Sequence, residues 1–201
     1  MSTPLTLPPE TGPFSGGRVS YVVGWMVARR ELAALAKKLI EECCIKQGIQ
    51  RDQLIIHSDR GPSMTSKPVA LLLADLGVKK SHSLPYVSND NPYSESHFKT
   101  KKYRPEFPEW FGSLEDSRSV GHIFFPWYNT ENYHSGIGFL TPEDVHYGRA
   151  EQIIKEREKV LKIASEKHSH RFKGKIPQAV AVPKATWINK PSPDEKELVI
   201  Y

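Results

Sequence analysis

The chain shows no apolar periodicity until Val19. Residues 1–17 carry prolines at 4, 8, 9 and 13 and glycines at 12, 16 and 17. Such a stretch buries little, so a disordered lead-in is expected. Val19–Val27 (VSYVVGWMV) is a nearly continuous apolar, β-branched and aromatic run, the pattern of a buried strand. Arg29–Lys46 then places Leu32, Leu35, Ala36, Leu39, Ile40 and Cys43 on one face and stops before Gly48, which predicts an amphipathic helix with a glycine C-terminus. Gln53–His57 (QLIIH) predicts a short strand. Ser66–Leu76 predicts a helix that turns Val69, Leu72, Leu73 and Leu76 inward and ends at Gly77, and Val78–Ser81 predicts another short strand.

Further on, Asn91–Tyr103 reads as a helix with Pro92 at its first position, where the missing N–H costs nothing. Ser113 opens a helix with Glu115 and Asp116 in its first turn, running through Phe124, Phe125, Trp127 and Tyr128, with Pro126 expected to kink it or move its boundary. Thr141-Pro142-Glu143-Asp144 is a helix start, and Ala150–Ala164 is amphipathic through Ile153, Ile154, Val160, Leu161 and Ala164. After Lys167 the period is lost, leaving a Pro-rich tail with an apolar island at Ala179–Val182. No internal repeat is visible. Alternation of strands and helices predicts an α/β fold with at least partly parallel strands.

Composition narrows the class. The chain has 201 residues, 28 Lys+Arg against 23 Asp+Glu, and a net charge of +5. No stretch approaches the roughly 20 apolar residues of a membrane span. The two cysteines, Cys43 and Cys44, are adjacent and make no disulfide framework, which suits a reducing compartment. The eight histidines lack metalloprotease spacing, no cysteine pair is spaced for zinc, and no G-x-S-x-G elbow occurs. Basic charge is local: Lys155–Lys175 holds eight Lys/Arg against three Glu, and a second cluster is Lys99, Lys101, Lys102 and Arg104. A run of this kind serves either as a solvated helix face or as a phosphate-binding surface. Trp127, Tyr128 and Tyr133 are assigned to packing.

Two acids stand out. Asp59 follows the QLIIH strand in His57-Ser58-Asp59-Arg60-Gly61, where open α/β sheets collect functional groups. The plainer reading is a turn-initiating Asp before Gly61. Glu95 falls in the first turn of the helix predicted from Pro92, where an acid also simply complements the dipole. Lys99 and Lys102 lie four and seven residues on, along the same stripe. A carboxylate beside cations suits a divalent metal with a phosphodiester, and equally a surface salt-bridge ladder.

Together the motifs resemble the catalytic core of bacterial insertion-sequence transposases related to retroviral integrases. The segments that carry the resemblance are YVVGWMVA (21–28), HSDRG (57–61), LLADLGVKKSHS (72–83), VSNDNPYSES (87–96) with Phe98-Lys99, and YNTENYHSGIGFLTPEDVHYG (128–148), with 35 residues between Asp59 and Glu95. A weaker match extends to the WIN triplet at 187–189. The resemblance implies a ribonuclease H-like fold, a five-stranded mixed sheet flanked by helices, and an Asp-Asp-Glu triad holding two Mg²⁺ or Mn²⁺ ions. Asp59 matches the second acid and Glu95 the third, as catalytic residues and metal ligands. Lys102, with Lys99 beside it, matches the basic position expected to contact DNA. The family's first acid has no counterpart: the only acid before Gly24 is Glu10.

The expected organisation is therefore a lead-in at 1–17, a catalytic core at 18–148 lacking its first strand, and a basic helix with Pro-rich tail at 149–201. The implied activity is metal-dependent phosphodiester hydrolysis and strand transfer in DNA transposition. The alternative is a catalytically inactive remnant that binds nucleic acid, and without the first acid the isolated chain is expected to give no strand transfer. Implied partners are transposon ends and target DNA, further copies of the chain in a synaptic complex, and the product of an upstream reading frame. A cytoplasmic, nucleoid-associated location follows, with no membrane.

Overall fold

The computed structural model describes residues 5–6, 21–58, 61–82, 99–100, 102–104, 107–173 and 175–183. Four strands are present among them: β1 (Leu5–Thr6), β2 (Val22–Gly24), β3 (Ile55–Ser58) and β4 (Lys79–His82). β1 pairs with β2 antiparallel, and β3 pairs with β4 parallel, in register from Ile55 opposite Lys79 to Ser58 opposite His82. Parallel neighbours need a crossover, and α2 (Lys67–Asp75) supplies it.

The helix α1 (Ala33–Lys46) forms where the apolar spacing predicted it. Ile40, Cys43 and Cys44 are buried on one face. Gly48 ends it at φ +62°, with the Ile49 N–H donating back to the Cys44 carbonyl over 3.0 Å. That left-handed conformation suits glycine because no Cβ is present to clash. The same device ends α2, where Gly77 has φ +65°. From α2, Val69, Leu72 and Leu73 join Val23, Ile40, Cys43, Cys44, Leu54, Ile56 and Val78 in one core. Burial pushes the Cys43 thiol up to about 11 and raises that of Cys44, so both are packing groups.

A second core lies on the other side of β2. Here α3 (Leu114–Thr130) presents Phe124, Phe125 and Tyr128 to Val22, with Trp25 and Trp127 at the margin. Successive residues of a strand point to opposite faces, so Val23 enters the first core and Val22 the second. Ser113 caps α3, accepting from the Asp116 N–H over 3.0 Å. Pro126 stands inside α3, which continues to Thr130, and the Thr130 hydroxyl donates to the Pro126 carbonyl over 2.9 Å. β2 is shorter than the predicted Val19–Val27, because Trp25 turns out to stack on Phe125 (centroids 4.9 Å, planes 25°).

Beyond a 3-10 turn at Ser135–Ile137, α4 (Pro142–His146) begins with the predicted cap. The Thr141 hydroxyl accepts from the Asp144 N–H over 3.2 Å, and the Asp144 carboxylate accepts from the Thr141 N–H. α5 (Ala150–Lys167) buries no residue completely, and α6 (Ser169–Phe172) adds a short turn where the period was expected to end.

The fold is of the α/β class, with helices on both sides of β2. The implied mixed sheet is represented among the described residues by two two-stranded sheets, one antiparallel and one parallel. The lead-in at 1–17, expected to be disordered, contributes β1, which pairs antiparallel along β2. The helix read from Asn91 lies outside the described residues as far as 98, and residues 99, 100 and 102 are helical.

Candidate active site

β3 and β4 run parallel and in register, so they end on the same side of their sheet, Ser58 beside His82. Ligand-binding residues of open α/β sheets gather beyond such carboxyl ends. Asp59 is the next residue after β3, and the segment 83–98, which includes Glu95, leaves from the end of β4. Both acids lie outside the described residues. The Gly61 carbonyl accepts from the Thr65 N–H over 3.1 Å and from the Thr65 hydroxyl over 3.1 Å, a turn that leads into α2.

Lys99 and Lys102 are both described and exposed, on a helical turn closed by the Tyr103 N–H donating to the Lys99 carbonyl over 2.9 Å. Neither ammonium joins an ion pair among the described residues. Arg104, of the same basic cluster, is committed elsewhere. Its guanidinium lies 3.7 Å from the centroid of the Trp127 ring, fixing the segment to α3 through a cation–π contact.

The second basic run divides in the same way. Arg157 donates to the Gly138 carbonyl over 2.9 Å and to the Phe139 carbonyl over 2.8 Å, so its charge is spent on the loop before α4. In α5 the remaining Lys155, Lys159, Lys162 and Lys167 alternate with Glu151, Glu156, Glu158 and Glu166, close to balance. The run's positive excess is concentrated at its end, at Arg171, Lys173 and Lys175.

Among the described residues no three His, Cys, Asp or Glu side chains gather where they could hold a metal. The partly buried histidines have other partners. His146 stacks on Tyr21 (4.3 Å, 12°) and its Nε2 lies 3.0 Å from the Gln47 Oε1. His134 lies edge-on to Tyr128 and 3.0 Å from the Asn132 amide. Burial lowers the pKa of both. Of the aromatics assigned to packing, Tyr128 is buried, whereas Tyr133 is 62% exposed and lies at the helix-ending loop, outside either core.

Sequence reasoning missed Asn129. Its side-chain amide accepts from the Val22 N–H over 2.9 Å and donates to the Val22 carbonyl over 3.0 Å, as a strand neighbour would. It is 8% exposed and joins residues 107 apart in sequence. The available signal was an amide-bearing residue inside the aromatic helix face FFPWYN (124–129), a place where burial demands a polar partner.

Two matches to known families coincide with this architecture. One "Integrase core domain" family matches residues 19–88, and a second family of the same description matches residues 76–142. The transposase for insertion sequence element IS904 of Lactococcus lactis subsp. lactis (strain IL1403) is 29% identical over 124 residues, covering 61% of this chain and 49% of the relative. The chain thus spans about half the length of that relative. Among solved structures, the catalytic core domain of BIV integrase aligns with 64% of this chain and 80% of its own, at 22% identity and a TM-score of 0.43. A simian T-cell lymphotropic virus intasome, in complex with PP2A regulatory subunit B56 gamma, aligns with 62% of this chain and 43% of its own, at 17% identity and 0.45. The two family matches together span residues 19–142, including both acids and Lys102, and with the IS904 relative they support an integrase-like catalytic core similar to that of an insertion-sequence transposase.

Proposed function

We propose that this chain is the catalytic core of a DNA transposase, acting in transposition and integration by metal-dependent phosphodiester hydrolysis and strand transfer. The carrying observation is that two integrase-core matches, over 19–88 and 76–142, together span both acids and Lys102, with Asp59 directly after a strand of a parallel pair. In this reading Asp59 and Glu95 are catalytic residues and ligands of Mg²⁺ or Mn²⁺. Two carboxylates are a hard, oxygen-only donor set, which fits those ions and disfavours zinc or copper. When bound, such an ion activates a water or a DNA 3′-hydroxyl and stabilises the leaving oxygen.

The chain's own groups do the positioning. Lys99 and Lys102 stand exposed a few residues beyond Glu95 and neutralise DNA phosphates on either side of the reacting one. Asn129 holds β2 to α3 through both backbone groups of Val22. Transposon ends and target DNA are the substrates, and further copies of the chain, in a synaptic complex, are the proposed partners. No described helix is long and apolar enough to cross a membrane.

Fluorescence anisotropy of the full chain on labelled duplex DNA, across a salt series, tests the DNA face. Substitution Lys102→Ala should weaken binding on all sequences alike and reduce the slope of log K against log salt by about 0.9 for one lost phosphate contact. An unchanged slope would place Lys102 on a solvated face and refute its role.

A further inference from the structure

The helix α5 leaves one line of its surface uncovered. Its half-buried residues Ile153, Ile154, Arg157, Leu161 and Ala164 share one side, and Arg157 ties that side to the loop before α4. Beside them Val160 is 65% exposed and Ile163 is 53% exposed. Glu156 stands one turn before Val160 and Lys167 one turn after Ile163, and both are exposed. At 3.6 residues per turn these four fall within about 60° of one another, so they form a single stripe. Neither the Glu156 carboxylate nor the Lys167 ammonium joins an ion pair among the described residues, and Glu156 accepts only from the Gln152 amide, over 3.3 Å. A cleft of about 480 Å³ adjoins the stripe at Val160, with the exposed Phe139 and Val180 among its walls. Adjoining exposed apolar groups of this kind mark an interaction surface.

The order of the stripe says what covers it. From Glu156 to Lys167 it reads acid, apolar, apolar, base, at steps of four, three and four residues. The spacing is the same from either end, while the charge is reversed. A second copy of α5, laid antiparallel with its Ile163 opposite Val160, therefore sets its Lys167 opposite Glu156, and the two-fold axis repeats each contact. Laid parallel and in register, the same stripe would set Glu156 against Glu156 and Lys167 against Lys167. Charge complementarity thus selects a second copy as the occupant and fixes its direction. Such a self-complementary patch is what a two-fold interface requires. Two apolar side chains per helix and one cleft are a small apolar content, so the pair belongs among the weaker, transient contacts.

We infer that the stripe Glu156, Val160, Ile163 and Lys167 is a contact between two copies of this chain, which pair their α5 helices antiparallel. This rests on the transposase reading above, whose synaptic complex takes more than one copy, and it names the surface that joins them.

Sedimentation equilibrium of the full chain, over a concentration series at low salt, tests the contact. The parent should associate to a dimer. Glu156→Lys and Lys167→Glu each turn two attractions into two like-charge contacts and should weaken association by about fivefold or more. Mixed in equal amounts, the two variants should recover parent-like association, because every charged contact then joins a base to an acid. The double variant Glu156→Lys with Lys167→Glu should recover it on its own, which separates a lost contact from a lost fold. Val160→Ser should weaken association at low and high salt alike, since it removes no charge. A parent that stays monomeric throughout the series, a dimer indifferent to both reversals, or reversals that neither mixing nor the double variant repairs, each overturns the antiparallel contact. Anisotropy on duplex DNA keeps the two readings apart. A monomeric parent that binds DNA leaves the DNA reading standing, and a parent that dimerises as described but binds no DNA at low salt overturns that reading alone.

Discussion

Substituting Asn129 by Ala removes the side chain that pairs both backbone groups of Val22. Val22 packs with Phe124, Phe125 and Tyr128, and both hydrogen bonds to its backbone are buried. Each buried backbone group left unpaired costs about 1–3 kcal/mol, so the pair together predicts a loss on the order of 3 kcal/mol. Against a typical domain stability of roughly 5–15 kcal/mol that is a large fraction. Urea unfolding followed by tryptophan emission is the natural assay, because Trp25 and Trp127 border the site. With a urea m-value of about 2–3 kcal/mol/M, the midpoint should fall by roughly 1 M or more. Substitution Asn129→Asp refines the point. A carboxylate accepts from the Val22 N–H but opposes the Val22 carbonyl, so burial beside that oxygen raises its folded pKa above the unfolded value. Its stability is then greatest at low pH and is lost as pH rises through the folded pKa. A midpoint shift in Asn129→Ala below about 0.2 M would show that β2 is not held by this amide, and the magnitude argument would fail.

Three further outcomes follow from single contacts. A Cβ on Gly121 would stand 2.7 Å from the Trp25 ring, so Gly121→Ala should destabilise by about 1–3 kcal/mol despite the roughly 1 kcal/mol gain in helix propensity; net stabilisation in urea unfolding would contradict the packing of Trp25 on α3. Arg157→Ala should release the Gly138 and Phe139 carbonyls, seen as faster amide exchange at 137–140 with little change in β3 and β4; uniform protection would refute the latch. Burial lowers the pKa of His134 and His146, so their contribution is full above the unfolded value near 6.5 and is lost as pH falls through the folded values; the urea midpoint should drop between about pH 7 and 5, less so in His146→Gln, and a midpoint rising on acidification would reverse the sign of the argument.

Much of the fold was legible because it rests on local rules. Ile40, Cys43 and Cys44 on one helix face, glycines at 48 and 77 after α1 and α2, and the Thr141–Asp144 cap could all be read from spacing and residue chemistry. What escaped was tertiary choice. The Asn129–Val22 pairing spans 107 residues, and no periodicity announces it. Arg157 and Arg104 read as free cations in a charge run, yet each is taken by a carbonyl pair or an indole that only the folded chain brings near. Tyr133 reads as core in an aromatic stretch but lies past the end of α3, where the chain turns to solvent. At the candidate site, the sequence supplies Asp59 and Glu95, and the structure supplies the parallel strand end before Asp59 and the basic turn after Glu95.

The central claim is that Asp59 and Glu95 share one divalent cation, and Mn²⁺ binding to the full chain, followed by electron paramagnetic resonance of the free ion, tests it most directly. Two carboxylates on one ion stand on the order of 4–8 Å apart or less, given metal–oxygen distances near 2 Å. Asp59→Asn and Glu95→Gln should each weaken Mn²⁺ binding by about tenfold or more, and the double variant should bind at least as weakly as the weaker single one. Lys102→Ala should leave Mn²⁺ affinity at least as high as in the parent. Parent-like Mn²⁺ affinity in both single variants would mean that the two acids do not meet on one ion, and the active-site assignment would be wrong.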